Sequence, residues 1–232
     1  MGKTSNPITV KRFVGSCNLI FLVEPTFEGF FHACTIDDIC HVLSRVPEAH
    51  LQGIALIVLR QPKRKEKILN PAWGRFIYYY ASTGSAICIE AQNPNEKIKW
   101  KNLHPSEMKE IDRLKADGHT ITLNRRECII ERTPEAIRAT QLYRTLLHEI
   151  GHYVDWFRSV LQKTSDELDD EYISNVYDRK TSLDKETFAH RYANELRASL
   201  FAEGFLPFDR VFNPDQIEKD GLNVEWFQYE KI

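Results

Sequence analysis

The sequence predicts an α+β fold, because strand-like segments come first and two long amphipathic helices come last. The strand-like segments lie within residues 1–132 of the 232-residue chain, and the two helices occupy residues 133–204. Hydrophobic residues make up 42% of the chain, which is enough to build a sizeable core. We therefore expect one domain over residues 1–232, with residues 205–232 packed back against it.

Short runs rich in Ile, Val, Leu and aromatic residues predict the strands. These runs are residues 18–23, 53–59, 76–81, 86–91, 120–123 and 127–131. Ser82-Thr83-Gly84-Ser85 contains turn residues and predicts a hairpin between the third and the fourth of them. Two shorter helices are expected in the same part, at residues 35–46 with Thr35 as N-cap and at residues 105–116, which Asp117-Gly118 closes.

The first long helix is predicted over residues 134–160. Thr133 can cap its N-terminus, Pro134 suits the first helical position and Glu135 complements the helix dipole. Apolar residues recur in this helix at spacings of three or four, namely Leu142, Leu146, Ile150, Tyr153 and Phe157. This periodicity predicts that one face of the helix is buried.

This helix contains the sequence His148-Glu149-Ile150-Gly151-His152. Two histidines four residues apart lie about one turn from each other on the same face, so both imidazoles can reach one Zn²⁺. Glu149 stands beside the first histidine and can accept a proton from a zinc-bound water. Gly151 is unfavourable inside a helix and is often found where another backbone packs closely. The pattern therefore indicates a metal site and hydrolysis by activated water.

His148, Glu149 and His152 resemble the H-E-x-x-H residues of the zincin metallopeptidases. The resemblance implies a zincin-like catalytic domain, a Zn²⁺ held by the two histidines, Glu149 as general base and a third protein ligand. Metzincins have a ligand six residues after the second histidine and a glycine three residues after it, where this chain has Arg158 and Asp155. The resemblance is therefore to the gluzincins, which take a glutamate from a following helix.

The following helix is predicted over residues 183–204, with a cap at Thr181 or Ser182. Glu186 lies on the same side as its apolar stripe, where a buried carboxylate needs a partner such as a metal. Residues 186–193 also look like the glutamate helix of lethal-factor-like and Pro-Pro-endopeptidase-like zincins. The alternatives to Glu186 as third ligand are His190 and Glu195. The predicted metal ligands are His148, His152 and Glu186.

The sequence leaves the role of His190 open. This residue follows Glu186 by one turn, where the resembled family commonly has an acidic residue, and it could be a ligand, a donor to the transition-state oxyanion or a group that orients a ligand. The resemblance also implies an oxyanion-stabilising side chain, for which Tyr177, Tyr172 and His190 are candidates. Asp155 either accepts a hydrogen bond from a ligand imidazole or is solvated at the surface. The predicted catalytic residues are Glu149, Tyr177 and His190.

In the zincin fold, an extended substrate pairs with one edge of the sheet. The candidates for that edge are the last strand before the first zinc helix, residues 127–131, and residues 86–91. The connection between the two zinc helices, residues 162–182, is long and polar. We expect it to form a lid or a wall of the substrate site.

Charge and cysteine content limit the expected partners and location. A net charge of −2 argues against a dominant nucleic-acid or membrane surface. The basic run 60–67 lies between two predicted strands without interleaved aromatic residues, so we expect a solvated loop. Five cysteines without a C-x-x-C pair predict reduced thiols, and no signal peptide or membrane span is visible. We therefore expect a cytoplasmic location, with delivery to another cell by a non-classical route also open.

These observations predict a zinc-dependent metallopeptidase that acts on a protein or peptide substrate. The alternative is a catalytically inactive zincin-like binding module that keeps its metal for structure, and a nucleic-acid-binding role is a weaker third. A structural zinc site favours four protein ligands, whereas a catalytic site keeps one position for water. The number of ligands is therefore the feature that separates the first two hypotheses.

Overall fold

The computed structural model describes residues 6–69, 71–81, 83–101, 105–125, 127–160 and 177–229. Its strands are β1 (Ile8–Val14), β2 (Cys17–Val23), β3 (Leu56–Arg60), β4 (Gly74–Tyr80), β5 (Gly84–Glu90), β6 (Ile98–Lys101), β7 (Thr120–Leu123) and β8 (Glu127–Glu131). Its α-helices are α1 (Ile36–Leu43), α2 (Arg64–Leu69), α3 (Pro105–Ala116), α4 (Pro134–Thr140), α5 (Leu146–Ser159), α6 (Ser182–Ala202) and α7 (Pro214–Lys219). Short 3₁₀ turns lie at Glu48–His50 and Val224–Phe227, and a π-helical turn, Gln141–Thr145, joins α4 to α5.

Two sheets organise the strands. A five-stranded sheet has the order β1-β2-β3-β5-β4, in which β2, β3 and β5 run parallel and both edge strands run antiparallel to their neighbours. A smaller antiparallel sheet has the order β6-β8-β7. A mixed sheet combined with separate long helices confirms the predicted α+β class.

The main core lies between one face of the five-stranded sheet and the helices that cover it. Phe21, Ile57 and Ile87 come from three neighbouring strands and are at most 1% exposed. Helix α5 contributes Ile150 and Tyr153 to the same cluster, and both are fully buried. Burial of one such side chain contributes about 1.5–3 kcal/mol. The helix with the metal-binding pattern is therefore held against the most buried part of the sheet.

The predicted helix caps are confirmed. The Thr35 side chain accepts a hydrogen bond from the N–H of Asp38, and the Asp38 carboxylate accepts one from the N–H of Thr35 in return, which is a capping box. Thr133 caps α4, with Pro134 in its first turn. Thr181 caps α6. Residues adjacent in sequence therefore set where these helices begin.

The predicted strands are confirmed with small shifts at their ends, and β4 and β5 form the predicted antiparallel hairpin. The sequence patterns did not predict β1, α2 or β6. In β1, apolar residues alternate with polar ones, but Phe13 is exposed on the outward face. An edge strand with one solvated face has a weaker apolar signal than a buried central strand.

The expected solvated loop at residues 60–67 is confirmed only in part, because residues 63–65 are exposed but the run begins buried and ends in a helix. Arg60 ends β3 and is buried, where it pairs with Glu66 and lies 3.4 Å from a carboxylate oxygen of Glu90. Glu90 is itself only 1% exposed, and a buried carboxylate needs a cationic partner. The run continues into the short helix α2. Its first residue therefore neutralises a buried acid instead of facing solvent.

The helix predicted over residues 134–160 is interrupted by the π-helical turn Gln141–Thr145. The Gln141 amide donates hydrogen bonds to the carbonyl oxygens of Trp73, at 3.1 Å, and Glu90, at 2.7 Å. These bonds tie the turn to the start of β4 and the end of β5. Such turns are frequent at functional sites, and this one ends three residues before His148.

The C-terminal segment packs back on the domain as predicted. The backbone N–H of His32 donates a 2.7 Å hydrogen bond to the carbonyl oxygen of Trp226, and Phe227 is fully buried. Thr35 also donates a side-chain hydrogen bond to the carbonyl oxygen of Val211. Within the described ranges, no helix is both long enough and apolar enough to cross a membrane.

Candidate metal centre

The structure brings the three predicted metal ligands together from two helices. The Nε2 atoms of His148 and His152 are 3.0 Å apart. The carboxylate oxygens of Glu186 lie 3.2 Å from Nε2 of His148 and 3.4 Å from Nε2 of His152. A tetrahedral Zn²⁺ site with bonds of about 2.0–2.1 Å places its ligand atoms roughly 3.3 Å apart. The spacing therefore fits the ligand shell of a small divalent cation such as Zn²⁺.

A glycine lets the two ligand helices approach each other. A Cβ atom on Gly151 would lie 2.9 Å from the Cα and 3.0 Å from the carbonyl oxygen of Ala189. Both are backbone atoms of α6, so they could move only with the helix. The close approach expected at Gly151 is confirmed, and it brings Glu186, three residues before Ala189, beside the histidines of α5.

The three side chains share an electrostatic environment that favours an ionised carboxylate. Hydrogen bonds from His148 and His152 hold the pKa of the Glu186 carboxyl well below its usual range. Burial lowers the pKa of His152, but the hydrogen bond to Glu186 and the negative charge of Glu149 outweigh burial and raise it. A divalent cation at this point would take the place of the imidazole protons as partner of the carboxylate.

Glu149 is buried beside the ligands and belongs to the same helix as the two histidines. Its carboxylate accepts a hydrogen bond from the backbone N–H of Phe76 on β4. Burial raises the pKa of Glu149, and the positive charges of His148 and His152 oppose this shift. A carboxylate with a raised pKa is a stronger base than an ordinary one. Glu149 lies next to the three predicted ligands but is not one of them, which suits the predicted general base.

His190 lies beside the ligands on α6. Its ring centroid is 4.4 Å from that of His148, and its Nε2 is 3.9 Å from Oε2 of Glu186. Burial, followed by the charges of His148 and Arg113, lowers the pKa of His190 to about 4. The ring is half-exposed, and its 3.9 Å distance from Glu186 exceeds the 3.0–3.4 Å spacing of the three predicted ligand atoms. His190 is therefore a neighbour of the three ligands.

Tyr177 is turned away from the ligands. It is 2% exposed, and its hydroxyl donates a 3.3 Å hydrogen bond to Asp155. This position does not suit the predicted role at an oxyanion, because the hydroxyl proton already goes to a buried carboxylate. Asp155 differs from both expectations, since it is buried and also accepts a 2.6 Å hydrogen bond from Lys180. Tyr172 and residues 162–176 of the expected lid lie outside the described residues.

The sheet edge beside the ligands is β4. Strand β5 lies between β3 and β4, and β8 lies between β6 and β7. The expectation of a free edge at residues 86–91 or 127–131 is therefore wrong. The ring of Phe76 on β4 contacts those of Tyr153 and Trp156 on α5, which places this edge directly over the ligand helix.

An opening of about 350 Å³ lies between β4 and the two ligand helices. Its lining includes Gly74, Phe76, Tyr78, His148, Glu149, His152, Lys185 and Glu186. Tyr78 hydrogen-bonds Tyr177 and is the tyrosine that borders the opening. The sequence analysis missed Tyr78, because its only signal was membership of a predicted strand.

Comparisons of the chain with profiles of known protein families, with curated proteins and with solved structures find no match. The zincin resemblance therefore depends on the H-E-x-x-H residues 148–152 and on residues 186–193. What this centre does has to be argued from the chemistry of its own residues.

Proposed function

We propose that the protein is a Zn²⁺-dependent metallopeptidase that hydrolyses peptide bonds in a protein or peptide substrate. The observation that carries the proposal is the 3.0–3.4 Å spacing of three ligand atoms beside a buried carboxylate. His148, His152 and Glu186 would hold the metal, and the opening beside them would admit water and substrate. Zn²⁺, when bound, lowers the pKa of a water ligand and polarises the scissile carbonyl.

Glu149 acts as the general base. Its carboxylate takes the proton of the attacking water and later delivers it to the leaving amine. The N–H of Phe76 holds one carboxylate oxygen, so the side chain keeps a fixed orientation while the other oxygen is available. This arrangement puts the base on the helix that carries two ligands, one residue away from the first.

The outer edge of β4 supports binding of an extended substrate. The N–H of Glu90 donates a 3.1 Å hydrogen bond to the carbonyl oxygen of Trp73, which makes these two facing residues a hydrogen-bonded pair. Such pairs alternate along an antiparallel ladder, so the backbone groups of Gly74 and Phe76 point away from β5. The bond from Phe76 to Glu149 agrees with that orientation. A peptide can therefore add to β4 through the backbone groups of Gly74 and the carbonyl of Phe76, since the Phe76 N–H is taken by Glu149.

Two side chains are placed to stabilise the oxyanion of the tetrahedral intermediate, although Tyr78 donates there only by giving up its hydrogen bond to Tyr177, whose own proton goes to Asp155. Tyr78 borders the opening on the side of β4, and His190 lies beside His148 on the side of α6. A hydroxyl and an imidazole N–H are both donors, and donors placed where charge develops lower the barrier. His190 was already a predicted candidate for this role together with Tyr177 and Tyr172, and Tyr78 is new.

The alternative is a binding module with a structural metal. Such a site favours four protein ligands. His190 is the nearest further imidazole, and its Nε2 lies 3.9 Å from Oε2 of Glu186, outside the tight group of three. Three ligands with space for water support the catalytic proposal over this alternative.

The decisive experiment compares the Zn²⁺-loaded protein with its Glu149→Gln variant on a proteome-derived peptide library. We expect both proteins to bind Zn²⁺ equally, whereas cleavage falls by about 10²–10⁴-fold in the variant, the range for loss of a general base. Glu195→Gln, which changes an exposed glutamate on α6, is the matched control and keeps full activity. Equal cleavage by Glu149→Gln and the parent would refute the mechanism. Tight zinc binding without any cleavage would support the structural alternative.

A further inference from the structure

A second cavity, of about 240 Å³, adjoins the metal centre on the side of His190. His148 and Glu149 form part of its wall, so it lies next to the point where a bond would be cut. Three further members of its wall are Arg113, Arg144 and Arg197. We refer to this space as the arginine cavity. Its volume is below the roughly 300–1,000 Å³ of pockets that hold whole drug-sized ligands, so it suits one side chain of a larger substrate.

One face of α6 links the metal ligands to the arginine cavity. Glu186, His190, Ala193 and Arg197 follow one another at intervals of four, three and four residues, which places them on a single helical face. Glu186 belongs to the metal triad, and the other three line the cavity. Arg197 therefore lies on the same face of α6 as the metal ligand, about three turns further along the helix.

Two of the three arginines already have acidic partners. The Nε of Arg144 donates a 2.7 Å hydrogen bond to Asp117, which is a buried carboxylate. Arg113 donates a 3.1 Å hydrogen bond to Glu110, and both of these side chains are about one-third exposed. Arg144 thus anchors the wall of the cavity, and Arg113 forms a neutralised pair near its rim.

Arg197 has spare hydrogen-bonding capacity. Its Nη2 lies 3.8 Å from Asp117, which is too long for a hydrogen bond and leaves that acid mainly with Arg144. Its Nε is buried and has no hydrogen-bond partner among the residues that the structure describes. The guanidinium stacks over the ring of Phe201, at 4.6 Å from the centroid. A buried donor without an acceptor is costly, and a planar guanidinium is the group best suited to bind a carboxylate.

The direction of strand addition places the cavity relative to the cleaved bond. A peptide that pairs antiparallel with β4 runs from Tyr78 toward Gly74 and Trp73. Gly74 and Trp73 line the arginine cavity, whereas Tyr78 borders the opening at the metal. For a peptide in this antiparallel orientation, the residue that follows the cleaved bond faces the arginine cavity.

We propose that the arginine cavity binds a carboxylate of the substrate and that Arg197 selects it directly after the cleaved bond. The carboxylate is either the side chain of an Asp or Glu residue or the free C-terminus of a substrate that ends just after the cleaved bond. This proposal rests on the proposed metallopeptidase function, because that function places a peptide along β4. It makes Arg197 the residue that determines specificity, through a charge-assisted hydrogen bond from its Nη2, which lies 3.8 Å from Asp117 and is not hydrogen-bonded to it.

The test uses the full-length Zn²⁺-loaded protein and a peptide library, with free C-termini in one arm and amidated C-termini in the other. Mass spectrometry identifies the residue after each cut. We expect an acidic residue there in both arms if a side chain is bound, and cuts only in the free arm if the terminus is bound. Arg197→Gln should reduce the acidic preference at least tenfold, and Arg197→Glu should shift it to Lys or Arg. Arg191→Gln, an exposed arginine on α6, is the control and keeps the preference.

A binding measurement separates failure of this proposal from failure of the peptidase function. The Glu149→Gln holoprotein is titrated with acetyl-Ala-Ala-Glu-Ala-amide and with the matching Gln peptide. Preference for the Glu peptide that disappears with Arg197→Gln, without cleavage of any peptide by the parent, keeps the carboxylate site and refutes the peptidase. Cleavage that has no acidic preference and is equal in the free and the amidated arms refutes the carboxylate site alone. Equal binding of the two peptides and of their forms with a free C-terminus, together with no cleavage, refutes both.

Discussion

Two polar clusters of this protein, one buried and one partly exposed, are built in opposite ways. Asp38 is fully buried, and its two oxygens accept hydrogen bonds from the Arg138 guanidinium, at 2.8 and 3.0 Å, and from the backbone N–H groups of Val211 and Thr35. At the metal centre, two imidazole nitrogens and one carboxylate converge instead within 3.0–3.4 Å. The first cluster is closed, because each acceptor faces a donor. The second brings three potential ligand atoms together at the spacing of a metal site.

A structural polar cluster differs from a functional one in whether its acceptors find their partners within the fold. A buried acceptor that finds its donor within the fold contributes to stability, and here it ties α1, α4 and the C-terminal segment together. Several potential ligand atoms that converge on one point are held there by the rest of the fold, which is what the proposed metal site requires. The substitutions below should therefore affect stability at the first cluster and metal binding at the second.

The largest effect is expected from Arg138→Met. This change leaves the buried carboxylate of Asp38 without its cation, which costs about 3–5 kcal/mol for a buried pair with one partner removed. Denaturant unfolding of the metal-free protein measures the loss. Arg45→Met, at an exposed arginine, is the control and should cost less than about 1 kcal/mol. A loss below 1 kcal/mol for Arg138→Met would remove the distinction between the two clusters.

Acidification tests a buried polar atom that belongs to neither cluster. His32 is 2% exposed, its Nε2 is hydrogen-bonded to the carbonyl oxygen of Glu24, and its Nδ1 has no partner among the described residues. Burial lowers the pKa of His32 from 6.5 to about 4, so as the pH falls through 6.5 the unfolded chain takes up the proton first. Stability should fall by about 3 kcal/mol between pH 6.5 and pH 4 from this residue. In His32→Gln, unfolding at several pH values should show a shallower loss, whereas an unchanged slope would contradict the assignment.

Zinc should stabilise the protein through the second cluster. At a free concentration 100 times the Kd, binding to the folded state alone adds about 2.7 kcal/mol to the free energy of unfolding, and a chelator removes it. Glu186→Gln should weaken zinc binding at least 100-fold and change the stability of the metal-free protein by less than about 1 kcal/mol. Calorimetric titration and denaturant unfolding give the two numbers. Retention of tight binding in this variant would exclude Glu186 as a ligand, and Glu195→Gln serves as the unaffected control.

The smallest effect is expected from Gly151→Ala. The added Cβ would press on the backbone of Ala189, so α6 must shift by a few tenths of an ångström and carry Glu186 away from the histidines. We expect zinc binding to weaken by about tenfold, although alanine favours the helix by about 1 kcal/mol. Ala198→Gly, at an exposed site of α6, changes helix propensity alone and should leave zinc affinity intact. Equal affinities in Gly151→Ala and the parent would show that helix spacing does not limit the site.

The candidate site was predictable where its geometry is local. His148 and His152 are four residues apart, so the helix itself sets the distance between their rings, and Glu149 follows from the same turn. Glu186 could be proposed from its place on the apolar side of a second helix, and the structure brings it to the histidines. The hydrogen bond from the Tyr177 hydroxyl to Asp155 could not be predicted, because the position of Tyr177 in the sequence does not show which acceptor lies beside it.

The α+β class, the helix starts at the Thr35, Thr133 and Thr181 caps, and the candidate metal-binding pair on α5 could all be predicted from the sequence. Each of these depends on residues within one or two turns, where backbone geometry leaves few options. Three features could be seen only in the folded chain. Strand β4 is the edge beside α5, Tyr78 borders the opening, and Arg197 lies in a cavity next to it. The reason is physical: strand order and cavity walls arise from contacts between residues far apart in the chain, and no local periodicity encodes which of those contacts form.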